Sequence, residues 1–380
     1  MTLSHLLYVT TRYCTQSGET DGGSVFASQA VRQLALCYTV DVLALQARPA
    51  QYEDLLGVRA VHWLAPNFQI KNRFERRIDT AEIVGAWVSS RSNPYDAIVL
   101  QHVSSGFGML DAMAVRKVVL FPMYTGTAYV RSGEPVPQEY LRAERAVFEF
   151  STGVVCASKA EANEIVASYG VNIGRLAVVP FGINAKMSSP RFRIPCGVLT
   201  LLTIGSIKPQ KNQIDALEVV QHLREHFGIP TQLLLAGNVA DEAYYSHFCQ
   251  EVRRRKLQDC VKYCGIVAHS DVWAFIAQGH FCVSVSQWET FGIALMEALS
   301  MGVPAVAYDD VDCFWEYLDR DGACMGVPRH PYAMAEKIAN VWRNPSDYLD
   351  RSRAARGEVA KFREATVWRK LRRVIDRWVR

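Results

Sequence analysis

The sequence predicts an α/β fold made of two Rossmann-like domains, and three observations carry that prediction. Short β-rich runs recur along the chain with helix-spaced apolar patterns between them, the signature of parallel strand-helix-strand units. The runs fall into two sets. Between the sets, 182–197 (GINAKMSSPRFRIPCG) is rich in Pro, Ser and basic residues and lacks apolar periodicity, so it reads as an interdomain linker.

The first set of predicted strands is 6–9, 40–45, 97–100, 117–121, 153–157 and 177–181. The second is 198–204, 232–236, 260–264, 281–285 and 305–308. Expected domain limits are 1–185 for an N-terminal Rossmann-like domain, 196–355 for a C-terminal Rossmann-like domain, and 356–380 for a closing helix. In that last segment Val367, Trp368, Leu371, Val374, Ile375 and Trp378 share one helical face, with Arg369, Lys370, Arg372, Arg373 and Arg377 elsewhere. An apolar face of this size needs cover, and packing back on the N-terminal domain is the expected solution.

With 380 residues, 49% apolar and 21% charged, the chain can bury two ordinary cores. A net charge of +4 does not call for a nucleic-acid partner. No apolar run approaches the roughly 18–20 residues that span a bilayer, and MTLSHLLYVTTRY reads as a first strand instead of a secretion signal. The expected location is cytoplasmic, with room for peripheral contact at the inner face of a membrane. The cysteines are scattered and form neither a disulfide framework nor a zinc pattern, so no metal site is expected.

The most informative stretch is 286–309, SQWETFGIALMEALSMGVPAVAYD. Its apolar run from Phe291 is interrupted by Glu297, a carboxylate where burial is costly. Thr290 is expected to cap this helix, leaving the N–H groups of Gly292 and Ile293 as a seat for a phosphate, with Glu289 just outside. Counted from Thr290, Glu297 lies roughly 10 Å along the axis, a spacing that suits one carboxylate near a sugar and another near a ribose.

Further anion-binding positions follow the strand 198–204, in the loop GSIKPQKNQ with Gly205, Ser206, Lys208 and Lys211. Gly22 and Gly23 precede an expected helix over 24–36 and can bring backbone amides near a phosphate or sugar. No dinucleotide fingerprint or Walker motif occurs. His102 follows a strand and is a candidate to line the site. Asp310 and Asp312 read as a solvated loop, and KNRFERR (71–77) as a basic, partly aromatic face able to meet an anionic surface.

Carried by these residues, the chain resembles the retaining glycosyltransferases of GT-B architecture, in particular the large family 4 that includes sucrose synthases and many bacterial mannosyl- and glucosyltransferases. Glu289, Thr290, Phe291, Gly292 and Glu297 with the trailing GVPAVA are similar to that family's paired-glutamate element. Gly205 and Lys211, LLLAGN (233–238), VKYCGIV (261–267), Glu316 and PFGIN (180–184) are also family-like. The resemblance implies a deep interdomain cleft, with Glu297 on the nucleotide ribose, Glu289 on the transferred sugar, and Lys211 with the 291–293 backbone on the diphosphate. It also implies transfer with retention and without a metal or cofactor, from a co-substrate such as a UDP-sugar or GDP-sugar to a glycan or lipid-linked glycan.

The chain departs from the family pattern at Ser206, where an Arg is usual, and at Met123 or Tyr124, where a His is usual. Lys208 and His102 are the candidates to substitute. The departures motivate rival expectations: a non-catalytic GT-B subunit that stabilises a partner transferase, or a nucleotide-sugar epimerase.

Overall fold

A computed structural model describes residues 4–13, 22–48, 57–65, 72–91, 95–183, 196–268 and 270–379. It divides into two compact units, one of 1–180 with 367–380 and the other of 181–366. Most of the linker stretch, 184–195, and Lys71 lie outside the described residues.

The first unit holds a seven-stranded sheet: β1 (His5–Thr10), β2 (Thr39–Ala44), β3 (Val58–Trp63), β4 (Ala97–Gln101), β5 (Lys117–Phe121), β6 (Gly153–Cys156) and β7 (Leu176–Val178). The order is β3-β2-β1-β4-β5-β6-β7, and every pairing is parallel. Sequence order therefore reverses between β1 and β4, which makes the carboxyl ends of those strands the ligand-binding position of a doubly wound sheet. β4 is buried throughout, as expected of a strand covered on both faces.

The second unit holds six strands: β8 (Leu199–Ile204), β9 (Thr231–Ala236), β10 (Val261–Tyr263), β11 (Phe281–Ser284), β12 (Ala305–Tyr308) and β13 (Cys324–Val327). Their order is β10-β9-β8-β11-β12-β13, again all parallel, with the switch point between β8 and β11. Register places Leu201 opposite Phe281, so the loops that follow β8 and β11 emerge side by side.

Two edge strands, β3 and β13, join those that the periodicity marks. β3 reads VRAVHW, with Arg59 and His62 interrupting the apolar run, and β13 reads CMGV, where Gly326 weakens the strand signal. The last helix, Glu364–Val379, packs on the first unit from Val367 onward. Trp368 stacks on Phe26 at 5.7 Å between ring centroids, and Lys117 Nζ donates to the Val379 carbonyl at 3.1 Å. The Trp378 ring lies over Gly153, where a Cβ would come within 2.2 Å of it.

Among the described residues, no helix is long and apolar enough to cross a membrane. No group of three or more His, Cys, Asp and Glu there could hold a metal ion.

Candidate active site

The helix after β11 starts later than the apolar run suggests, at Ile293, and ends at Ser300. Its N-cap is Gly292, not Thr290, and no side chain caps it. Gly292 has φ of +78°, and a Cβ there would lie 2.3 Å from the Phe314 ring, so both conformation and space demand glycine. Phe291 is fully buried and packs edge-to-face on Phe181, Tyr317 and Phe362, with centroids 5.6, 5.9 and 5.1 Å away. That cluster, at about 0.5–1.5 kcal/mol per aromatic pair beyond area burial, fixes where the chain turns into the helix. At the other end Gly302 and Val303 donate to the carbonyls of Leu299 and Ala298, closing the helix before Pro304.

Glu297 is the fourth residue beyond Ile293, so it stands roughly 6 Å up the helix axis, nearer its mouth than the spacing from Thr290 implies. Glu297 is 9% exposed, and its side chain meets no hydrogen-bond partner or cation among the described residues. Burial pushes its pKa up to about 7. A buried carboxylate without a partner is expensive to keep.

Glu289 is placed differently. It forms an ion pair with Lys211, and Ser286 Oγ donates to the same Oε1 at 2.8 Å. The pair bridges the loops after β8 and β11 at the switch point, between residues 78 positions apart in a sequence that gives no hint of contact. Gly205 leaves room for the lysine stem, since a Cβ there would come within 3.3 Å of Lys211 Cε. The same two loops are clasped by Gln210, whose carbonyl accepts from Gln287 N–H at 2.8 Å and whose Nε2 donates to the Trp288 carbonyl at 2.7 Å. From the other side, Arg329 donates to the carbonyls of Ser286 and Gln287 at 3.2–3.3 Å while holding Asp310 in a two-pronged ion pair.

Gln210 and Arg329 were not legible as site residues: a glutamine in a polar loop and an arginine beyond a distant strand carry no pattern. Asp310 is an exposed loop residue and also anchors Arg329. Ser206 is occupied by protein bonds, with its hydroxyl donating to Asn238 Oδ1 at 2.7 Å and its carbonyl accepting from Gln213 Nε2 at 2.9 Å. Lys208 sits in the same loop and is 9% exposed.

The structure places His102, Gly22 and Gly23 in the first unit. The helix Gly22–Leu34 begins two residues earlier than expected. The Gly23 carbonyl accepts from Gln101 Nε2 at 2.7 Å, and Tyr8 O–H donates to Gln101 Oε1 at 2.8 Å, so Gln101 ties that helix to β1 and β4 at their carboxyl ends. His102 follows directly, with φ of +82° and Nδ1 3.5 Å from Ser104 Oγ. Met123, at the end of β5, is also left-handed, with φ of +63°. Such non-glycine conformations cost of order 1–3 kcal/mol and cluster at ligand sites.

The loop that contains Met123 is held from behind. Glu144, fully buried, accepts from Gly126 N–H through both oxygens at 2.7 and 2.9 Å and from Tyr169 O–H. Burial raises its pKa to about 7, although the Tyr169 and Gly126 bonds act in the opposite direction. Among the described side chains of 72–77, Phe74 and Arg77 turn inward. Asn72 caps the helix Arg73–Ser89, and Arg77 donates to Tyr140 O–H at 2.8 Å.

Comparison with known proteins accords with this architecture. Residues 21–182 match the family described as "Glycosyl transferase 4-like domain", and residues 188–358 match "Glycosyl transferases group 1". The chain is 24% identical over 285 residues to D-inositol 3-phosphate glycosyltransferase of Paenarthrobacter aurescens, covering 70% of this chain and 69% of that one. It is 24% identical over 208 residues to glycogen synthase of Mycobacterium tuberculosis, covering 54% of this chain and about half of the relative, 49%. Among solved structures, sucrose-phosphate synthase from Thermosynechococcus elongatus superposes with a TM-score of 0.84 at 19% identity, over 98% of each chain. HepE of Anabaena, solved with UDP and glucose, gives 0.77 at 18% identity, over 98% of this chain and 99% of its own. With matches along most of its length and this two-unit fold, the chain belongs to the family 4 glycosyltransferases of GT-B architecture.

Proposed function

We propose that the protein is a retaining glycosyltransferase that moves a hexose-type sugar from a UDP-sugar or GDP-sugar to a hydroxyl of a glycan or glycoconjugate, without a bound metal. The observation that carries this reading is the grouping at one switch point of the Lys211–Glu289 ion pair and the buried Glu297, which has no partner among the described residues. A carboxylate in that state is a ready acceptor for two ribose hydroxyls. Lys211 and the free N–H groups at the start of Ile293–Ser300 supply the positive charge that a diphosphate needs. HepE, of the same fold, was solved with UDP and glucose, which supports UDP-glucose as the first donor to test.

In the proposed reaction the bond between the anomeric carbon and the diphosphate oxygen breaks, and its electron pair stays on the phosphate. Negative charge then grows beside Lys211 and the helix amides, where preorganised positive groups stabilise it. The incoming hydroxyl bonds to the anomeric carbon on the face that the diphosphate leaves, and its proton passes to the departing phosphate oxygen. Glu289, released from Lys211 by the diphosphate, becomes an acceptor for hydroxyls of the transferred sugar.

Purified protein incubated with UDP- and GDP-sugars, with and without chelator, tests the reading by chromatography of the released nucleotide and NMR of the anomeric product. Retained configuration with chelator present is expected. An inverted anomer, or turnover restored by divalent metal after chelation, would overturn it. The engagement of Ser206 with Asn238 favours one second reading, a non-catalytic subunit, because that position brings no cation to the diphosphate. Failure to bind any nucleoside diphosphate, together with a tight complex with an active transferase, would select it.

A further inference from the structure

The last helix spends its apolar face inside the first unit: Val367, Trp368, Leu371, Ile375 and Trp378 are all buried. What it leaves in solvent is cationic. Arg369, Lys370, Arg372, Arg373 and Arg377 are exposed, and their spacing gathers them on the side opposite the buried residues. Among the described residues, Arg369, Lys370, Arg373 and Arg377 meet no carboxylate. Asp376, the acidic residue amid them, is engaged by Tyr38 O–H. The positive charge of this face is therefore not balanced within the helix.

Large apolar side chains stand exposed beside it. Arg372 Nη1 lies 3.2 Å from Cys37 Sγ, which puts the turn carrying Leu36, 71% exposed, against the middle of the helix. Lys117 holds the Val379 carbonyl at 3.1 Å, and Val115, two residues before Lys117 in the chain, is 74% exposed. Single exposed aliphatic residues are ordinary on protein surfaces. Here two of them border a concentrated cationic face.

We propose that this face docks the protein on an anionic phospholipid bilayer, with the basic side chains on the headgroup phosphates and Leu36 and Val115 entering the interface. Charge complementarity selects an anionic surface, and the bordering aliphatic residues select a bilayer over a soluble polyanion, which offers them nothing apolar. Because the apolar face of the helix is already covered, attachment is electrostatic and reversible. It weakens as salt shortens the screening length.

The test uses the full chain in a sedimentation assay with vesicles of phosphatidylcholine alone and of phosphatidylcholine mixed with phosphatidylglycerol. Binding to the mixed vesicles at low salt, release at high salt and no binding to phosphatidylcholine are expected. The double variant Arg369→Glu, Arg373→Glu should lower the partition coefficient by roughly tenfold or more. The variant Leu36→Ser, Val115→Ser should lower it by a smaller factor and keep the salt dependence. Thermal melting of each variant separates lost docking from lost folding, and an Arg369→Ala, Arg373→Ala pair replaces a variant that does not fold. Equal binding to both vesicle types, no vesicle binding, or wild-type binding by the double arginine variant would overturn the proposal. So would retention on heparin without vesicle binding, which would point to a soluble polyanion. None of these readouts depends on sugar transfer.

Discussion

Replacing Glu297 by Gln should strengthen the fold and weaken the site, and the two effects have separate assays. The carboxyl's pKa rises from 4.5 to about 7 because burial disfavours the charge. Between those values the folded chain holds a proton that the unfolded chain has released. Stability therefore falls as pH rises through that window and is level above it. At 1.36 kcal/mol per pH unit, the loss attributable to this group is about 3 kcal/mol. Gln at 297 keeps the shape and removes the charge, so above pH 7 the variant should melt higher than the wild type, by up to roughly 6–12 °C for a unit of this size. Below about pH 4.5 the two should converge. Nucleotide binding moves the other way. Charge-assisted bonds to two ribose hydroxyls are worth roughly 1.5–3 kcal/mol each, and an amide oxygen recovers part of that, so UDP or GDP affinity should drop about 10- to 100-fold. Wild-type affinity should rise as pH passes through 7 and the variant's should not. Scanning calorimetry from pH 4 to 8 and titration calorimetry at the same pH values check both effects. Parallel melting of the two proteins at every pH would refute the burial argument, and unchanged nucleotide affinity would refute the ribose assignment.

Other substitutions probe the surrounding framework. Lys211→Ala should cost about 10- to 100-fold in affinity for a nucleoside diphosphate and much less for the monophosphate, measured by calorimetry with both ligands. Gln210→Ala strands the Trp288 carbonyl in a buried position and should destabilise the second unit by about 1–3 kcal/mol in urea unfolding, with donor KM rising as the loop carrying Glu289 loosens. Glu144→Ala removes the partner of Gly126 N–H and Tyr169 O–H and should lower stability by about 2–4 kcal/mol, read by the same method. In the first unit, burial alone would raise the pKa of Asp41, but bonds from Arg59 and Tyr95 bring it below the usual carboxylate value. Its stabilisation is present at neutral pH and fades as pH falls through the folded-state value, so Asp41→Asn should lower the melting temperature at pH 7 and flatten its acid dependence.

Sequence periodicity was enough to locate the strands at the centre of each sheet, because those strands are buried on both faces and read as continuous apolar runs. β3 and β13 escaped for the complementary reason: an edge strand tolerates Arg59, His62 or Gly326, which blur the pattern. The helix at Ile293 was legible from composition, but its start was not. Thr290 has the right chemistry for a cap, and the deciding fact is instead the Phe314 ring over Gly292, a contact 22 residues away in the chain. The same limit applies to the site. Glu297 stands out in the sequence because a carboxylate interrupts an apolar run. The Lys211–Glu289 pair, the Gln210 clasp and the Arg329 brace depend on β8 lying next to β11, a consequence of strand order that no local spacing records.

Glu289 occupies Lys211 much as a leaving diphosphate would under the proposed mechanism. On that proposed mechanism the enzyme carries an internal rival to its own product. When the spent nucleotide loosens, the side chain is already tethered beside the cation and needs no diffusion to replace it. Product release then exchanges one anionic partner of Lys211 for another, so the lysine is not left without a counter-charge as the diphosphate leaves. The cost falls on binding, since each donor must displace the resident carboxylate. A site built this way favours rapid turnover at ample donor concentration over tight capture of a scarce one.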